Sequence, residues 1–229
     1  MDSLKSKLKK TWFGKLLKRL LKGSNSNRNY FKDSKSYWEN RYKSMDNSGP
    51  GSYGRLADFK AKTLNNFVEN YNIRNVIELG VGDGNQLSLA NYPQFTGFDV
   101  SETAIELCKN RFAHDRTKQF FMMDDPVHEN EKAELVLSLD VLYHLVEDDV
   151  YNKYMRRLFN SSIKFVIIYS SNYEEHTVSH VRSRKFTNWI DANVSNQWSL
   201  MEVIKNPYPY QSTDPDNTSM ADFYIYMRS

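Results

Sequence analysis

Ten residues constrain this chain more than any others: Val76-Ile77-Glu78-Leu79-Gly80-Val81-Gly82-Asp83-Gly84-Asn85. A short apolar run, the mark of a buried strand, empties into a loop with glycine at every second position, and a helical pattern follows over 86–90. Glycine lets the backbone turn tightly and approach a ligand with no Cβ in the way. Asp99 closes the next apolar run, 21 residues after Glu78. An acid at that place, the carboxyl end of the second strand, can accept both hydroxyls of a ribose.

The spacing separates two ligand classes. A dinucleotide fingerprint, G-x-G-x-x-G, would need glycine at 85, where Asn85 stands, and the loop instead reads E-x-G-x-G-x-G. Asp83 inside the loop would repel a diphosphate, whereas S-adenosylmethionine has none to cradle. A glycine-rich turn without a ligand is the plain alternative, and Asp99 argues against it.

Around this motif, strands and helices alternate. Strands are expected at 76–79, 95–99, 120–123, 134–139 and 164–169. Helices are expected at 56–71, 86–90, 102–111 and 147–158, with a shorter one at 37–42. This order means βαβ units, hence a parallel, doubly wound sheet. Residues 198–204 and 223–227 read as two strands with no helix between them, an antiparallel pair at the edge.

The chain of 229 residues suits one α/β domain, residues 30–229, preceded by an extension, residues 1–29. Within the extension, Leu4, Leu8, Trp12, Leu16 and Leu20 repeat every four residues with lysines opposite, an amphipathic helix that Gly14 weakens. Residues 1–22 hold eight basic side chains against Asp2, a net +7; the whole chain is +3, so the rest is −4. The mildly acidic body disfavours a broad nucleic-acid surface. The basic helix has two readings, docking on protein (its own domain or a partner) or peripheral contact with an anionic membrane. No run is apolar and long enough for a membrane span, and lysines throughout the N-terminus do not fit a signal peptide. The lone cysteine, Cys108, falls in an expected helix as buried filler, and a cytoplasmic setting is expected.

From about residue 37 onward the chain resembles the class I S-adenosylmethionine-dependent methyltransferases. Glu78 to Gly84 matches their first motif, and Phe98-Asp99-Val100-Ser101 the acidic end of their second strand. Asp124-Asp125 lies where the family places the loop that contacts adenine, and 139–145 matches the segment after strand four, beside the methyl-donating end. The resemblance implies a seven-stranded Rossmann-like sheet with the last two strands antiparallel. It implies S-adenosylmethionine as cofactor, held by Glu78, Gly80, Gly82, Asp99, Val100, Asp124, Asp125 and Asp140. The run 37–42, the loop through Tyr53-Gly54-Arg55 and the segment 180–186 are similar to methyltransferases of glycan-assembly gene sets. That finer likeness implies transfer to a sugar hydroxyl of a surface glycan or its lipid-linked precursor. Another small molecule, a protein side chain, or S-adenosylmethionine binding without catalysis are the alternatives.

A sugar hydroxyl is a poor nucleophile, so a base within hydrogen-bond reach is expected. Asp140, His144 and His180 are the candidates, with His176 beside them. Asp140 and His144, four apart, would share a face if the chain turns helical there. Each has a bland reading: Asp140 as a helix cap or a holder of the donor's methionine end, His144 as a half-buried ring, His176 and His180 as surface histidines. Arg55 could pair with the donor carboxylate and Tyr53 could close over the donor, or both could belong to an ordinary turn. Trp38 and Tyr42 read as a lid or as core. Arg182, Arg184 and Lys185 could bind an acidic acceptor or form a solvated charge run. Glu147-Asp148-Asp149 is the acidic start of a helix, and no metal site is expected.

Overall fold

The computed structural model of the protein describes residues 31–229. The amphipathic pattern of the first 22 residues and the linker after it lie outside the described residues. The main sheet contains β1 (Val76–Leu79), β2 (Phe95–Asp99), β3 (Lys118–Met122), β4 (Ala133–Leu139), β5 (Ser162–Ser170), β8 (Trp198–Ile204) and β9 (Asp222–Arg228). A small hairpin, β6 (Glu175–Val178) and β7 (Val181–Ser183), stands apart. The helices are α1 (Ser34–Lys43), α2 (Gly54–Asn70), α3 (Glu102–Arg111), α4 (Asp148–Asn160) and α5 (Phe186–Asn193).

The sheet runs β3-β2-β1-β4-β5-β9-β8. The first five strands are parallel, and β9 is antiparallel to both β5 and β8. This is the doubly wound sheet with an antiparallel last pair that the sequence implied, and its strand order reverses between β1 and β4. At such a switch point a crevice opens beyond the carboxyl ends of the strands.

Alternation along the strands sorts side chains between two cores. On β4, Leu135, Leu137 and Leu139 face the layer containing Leu64 and Phe67 of α2. Val136 of the same strand faces Met155 and Leu158 of α4. Helix α2 buries Leu56, Lys60, Leu64, Phe67 and Val68 on one stripe. One member of that stripe is a lysine.

Two expectations need correction. The helix expected over 86–90 is only a 3-10 turn, Leu87–Leu89. Gly84 precedes it at φ 73°, and Pro93 holds the residue before it away from helical backbone, so little chain remains to propagate a helix. The hairpin β6/β7 and helix α5 were not anticipated. Their segments are short and mixed in polarity, and the hairpin has its own two-stranded sheet.

Candidate active site

The glycine loop is tied down by the strand beside it. The amides of Gly80 and Val81 both donate to the Phe98 carbonyl, at 2.7 and 3.0 Å. Gly80 and Gly82 adopt φ of 90° and 60°, the left-handed region that side chains disfavour. A Cβ on Gly80 would press on the Val141 side chain, and one on Gly82 would run into Ser48 and the Tyr42 hydroxyl. The close packing thus requires the glycines.

Acids gather around this loop. Asp99 is buried, and its two oxygens accept from the Gly82 and Ser101 amides, each at 2.9 Å. Burial pushes its carboxyl up to about 6, against the pull of these amides. Each oxygen retains a second lone pair, the capacity that a ribose diol would use. Glu78 is buried as well; desolvation raises it to about 8, with Lys60 opposing and Asp99 and Asp140 adding to the rise. Burial also acts on Asp83, but hydrogen bonds from the Asn85 and Ser48 amides and the Tyr53 hydroxyl outweigh it and hold that carboxyl below its ordinary value.

Asp140 follows β4 with φ 61°. One of its oxygens meets Lys60 Nζ at 2.6 Å, and the other accepts from the Tyr143 hydroxyl at 2.9 Å. Asp140 and His144 therefore have different partners. Tyr143 stands between them, with its ring centroid 4.5 Å from that of His144.

Helix α1 covers one side of this crevice. Its N-terminal Ser34 donates from Oγ to the His144 carbonyl, 2.7 Å, and from its amide to Glu147, 2.9 Å. Farther along, Glu39 accepts from the Ser101 and Thr103 hydroxyls at 2.6 and 2.9 Å. Pinned at both ends, α1 lays Trp38 edge-on against His144 at 4.8 Å and stacks Tyr37 on His180 at 4.6 Å. Burial, the nearby His180 and Arg41 push His144 down to about 3, and burial and Arg41 lower His180 too. Both imidazoles are neutral near neutral pH.

The structure brings Glu78, Gly80, Gly82, Asp99 and Asp140 together around the carboxyl ends of β1, β2 and β4 at the switch point, with His144 and His180 beneath α1. Val100 is half-buried next to Asp99. Other candidates point elsewhere. Arg55 turns to the 205–218 loop, where it donates to the Asn217 carbonyl at 2.6 Å, pairs with Asp214 at 3.2 Å and lies over the Tyr208 ring. Asp124 is exposed and pairs with Lys35 of α1 at 2.8 Å. Asp125 accepts from the Val127 amide at the start of a short 3-10 turn. Arg182 and Arg184 both pair with Asp148, and His176 lies on β6 opposite Arg182.

Three participants were missed: Lys60, Tyr143 and Glu39. For Lys60 a signal existed. It lies midway between Leu56 and Leu64 at four-residue spacing, a charge on an apolar stripe.

The crevice suits the expected donor. Asp83, Asp99 and Asp140 set three carboxylates against the one ammonium of Lys60, an excess that matches a ligand carrying a sulfonium and an ammonium and opposes a diphosphate. Comparison with known proteins agrees. Residues 77–167 match the family described as methyltransferase domain. No curated protein matches in sequence. Among solved structures, the chain is similar to the magnesium protoporphyrin IX methyltransferase of Synechocystis PCC 6803 with bound SAM, at 14% identity and TM-score 0.62, over 89% of this chain and 100% of that one. It is also similar to the N-methyltransferase NodS of Bradyrhizobium japonicum WM9 with S-adenosyl-l-homocysteine, at 12% identity and TM-score 0.60, over 86% and 99%. The methyltransferase domain of bacterial CtHen1-C is 19% identical with TM-score 0.55, over 73% and 96%. The glycine loop, the acidic strand end and Asp140 thus all fall within residues 77–167, the stretch that matches a methyltransferase domain, in a chain with the fold of these methyltransferase structures.

Proposed function

We propose that the enzyme methylates oxygen, on a sugar hydroxyl of a surface glycan or its precursor. The observation that carries this reading is the wall that α1 builds: Tyr37 and Trp38 set against two neutral imidazoles, His180 and His144. Aromatic faces suit the apolar face of a sugar ring, and a neutral imidazole accepts a hydrogen bond from a hydroxyl. Bound S-adenosylmethionine supplies an activated methyl group on a sulfonium. Glu78, Gly80, Gly82, Asp99, Val100 and Asp140 are proposed to hold it. The protein's task is then to orient the acceptor and take its proton. His144 is the proposed base. Asp140 and Tyr143, already hydrogen bonded, are a second route for that proton. His180 orients His144 and the acceptor.

The basic, amphipathic sequence of residues 1–22 is proposed to bring the enzyme to an anionic, cytoplasmic membrane surface where lipid-linked glycan precursors lie. Deleting it should abolish association with anionic liposomes. The acceptor reading is tested by screening with labelled donor. Transfer to deoxysugar glycans is the expected result, and transfer only to peptides or small amines would sink it.

A further inference from the structure

We propose that Lys60, on α2, is the residue that binds the α-carboxylate of the donor. The proposal rests on S-adenosylmethionine being the donor. Among the described residues Lys60 is the only lysine or arginine that is buried, with 1% of its surface exposed. A buried ammonium is costly unless paired. Its Nζ carries three donors, and the single acceptor it meets is Asp140 Oδ2 at 2.6 Å. The ammonium also lies 5.3 Å from the centre of the Tyr169 ring, a contact that uses no hydrogen bond. Its two other N–H donors meet no acceptor among the described residues.

The geometry explains why the carboxylate falls there. Asp99 at the end of β2 fixes the ribose side. The amino-acid side then lies across the switch point, where β1 ends in Glu78-Leu79-Gly80 and β4 ends in Asp140. The donor's sulfonium and ammonium find carboxylates in this crevice. Its one anionic group would meet Asp140 as a like charge unless a cation intervened. Arg55 is turned outward onto Asp214 and Tyr208, and Lys60 is already in place. The loop in front is close: a Cβ on Gly51 would come within 2.8 Å of Asp140 Oδ2, so this loop packs against the Lys60–Asp140 pair.

The test compares two ligands on the full chain by calorimetry: S-adenosylhomocysteine, and its decarboxylated form, which keeps the adenosine, sulfur and ammonium. Lys60→Met should weaken S-adenosylhomocysteine by about 30-fold or more and change the decarboxylated ligand by less than about twofold, while Lys60→Arg retains most of the selectivity. Binding of the decarboxylated ligand by Lys60→Met also shows that the variant is folded. Equal weakening of both ligands would make Lys60 a structural residue and overturn the proposal, as would no weakening of either. If the unaltered protein binds neither ligand, the donor reading itself fails, and this assignment with it.

Discussion

The carboxylate of Glu39 on α1 receives the Ser101 hydroxyl at 2.6 Å, and this contact fastens the covering helix to the N-cap of α3, two residues beyond Asp99. Burial alone would raise the Glu39 carboxyl, but hydrogen bonds from Ser101, Lys43 and Thr103 bring it down to about 2. Its contribution to holding α1 is therefore present above the ordinary carboxylate value and is lost as pH falls toward 2. Glu39→Ala should cost about 1–2 kcal/mol in thermal unfolding and weaken S-adenosylhomocysteine by about tenfold in calorimetry, since the helix then covers the crevice less of the time.

Glu78 gives the opposite pH sign. Its folded value of about 8 exceeds that of a free carboxyl, so between the two the folded state binds more protons than the unfolded state. Stability then falls as pH rises from about 4.5 to 8, with this group contributing at most about 1.4 kcal/mol per pH unit. Glu78→Gln should flatten that slope in melting curves of the ligand-free protein. A cationic donor favours the ionised carboxylate, so donor binding should tighten with rising pH and level off above about 8 in the unaltered protein alone.

Removing the acid at the end of β2 should abolish the ribose contact. Asp99→Ala is expected to weaken S-adenosylhomocysteine by about 100-fold, and NAD should not bind either protein. Titration calorimetry decides both.

His144 is held at about 3, so its imidazole stays neutral throughout the working range. The rate should show no histidine limb between pH 5 and 8. His144→Ala should lower kcat by about 100-fold and leave the donor KM within about twofold. A matching loss in donor affinity would mean that the ring only supports Trp38.

Asp140 and Lys60 form a pair in which each needs the other. Asp140→Ala strands a buried ammonium and should cost roughly 3–5 kcal/mol of stability. Adding Lys60→Met should recover a large part of that loss, because the double change leaves no unpaired charge. Denaturant midpoints at constant slope measure both effects.

The sheet and the donor loop were legible because both rest on local signals. Apolar runs mark β1, β2 and β4, and glycines mark places where the backbone must come close. Asp99 was legible through its distance from Glu78. The placement of Arg55 was not, because Asp214, 159 residues away, decides where the guanidinium points. Lys60 was legible only as an anomaly on an apolar stripe; its partner comes from a strand end 80 residues away. The fastening of α1 likewise depends on Ser101 and Glu147, which no local pattern ties to Ser34 and Glu39. Short polar segments such as β6 and β7 carry too little periodicity to stand out.

The position of β9 has a consequence for synthesis. This strand is made after every other strand of the sheet, yet it lies between β5 and β8. While residues 222–228 remain on the ribosome, β8 has no neighbour and β5 presents an open edge. The half of the sheet that carries the donor crevice can pair earlier, β1 through β5, but the other half must wait. A nascent chain stalled before residue 222 would therefore offer a sticky edge to chaperones or to other stalled copies, and the last strand closes the sheet from within.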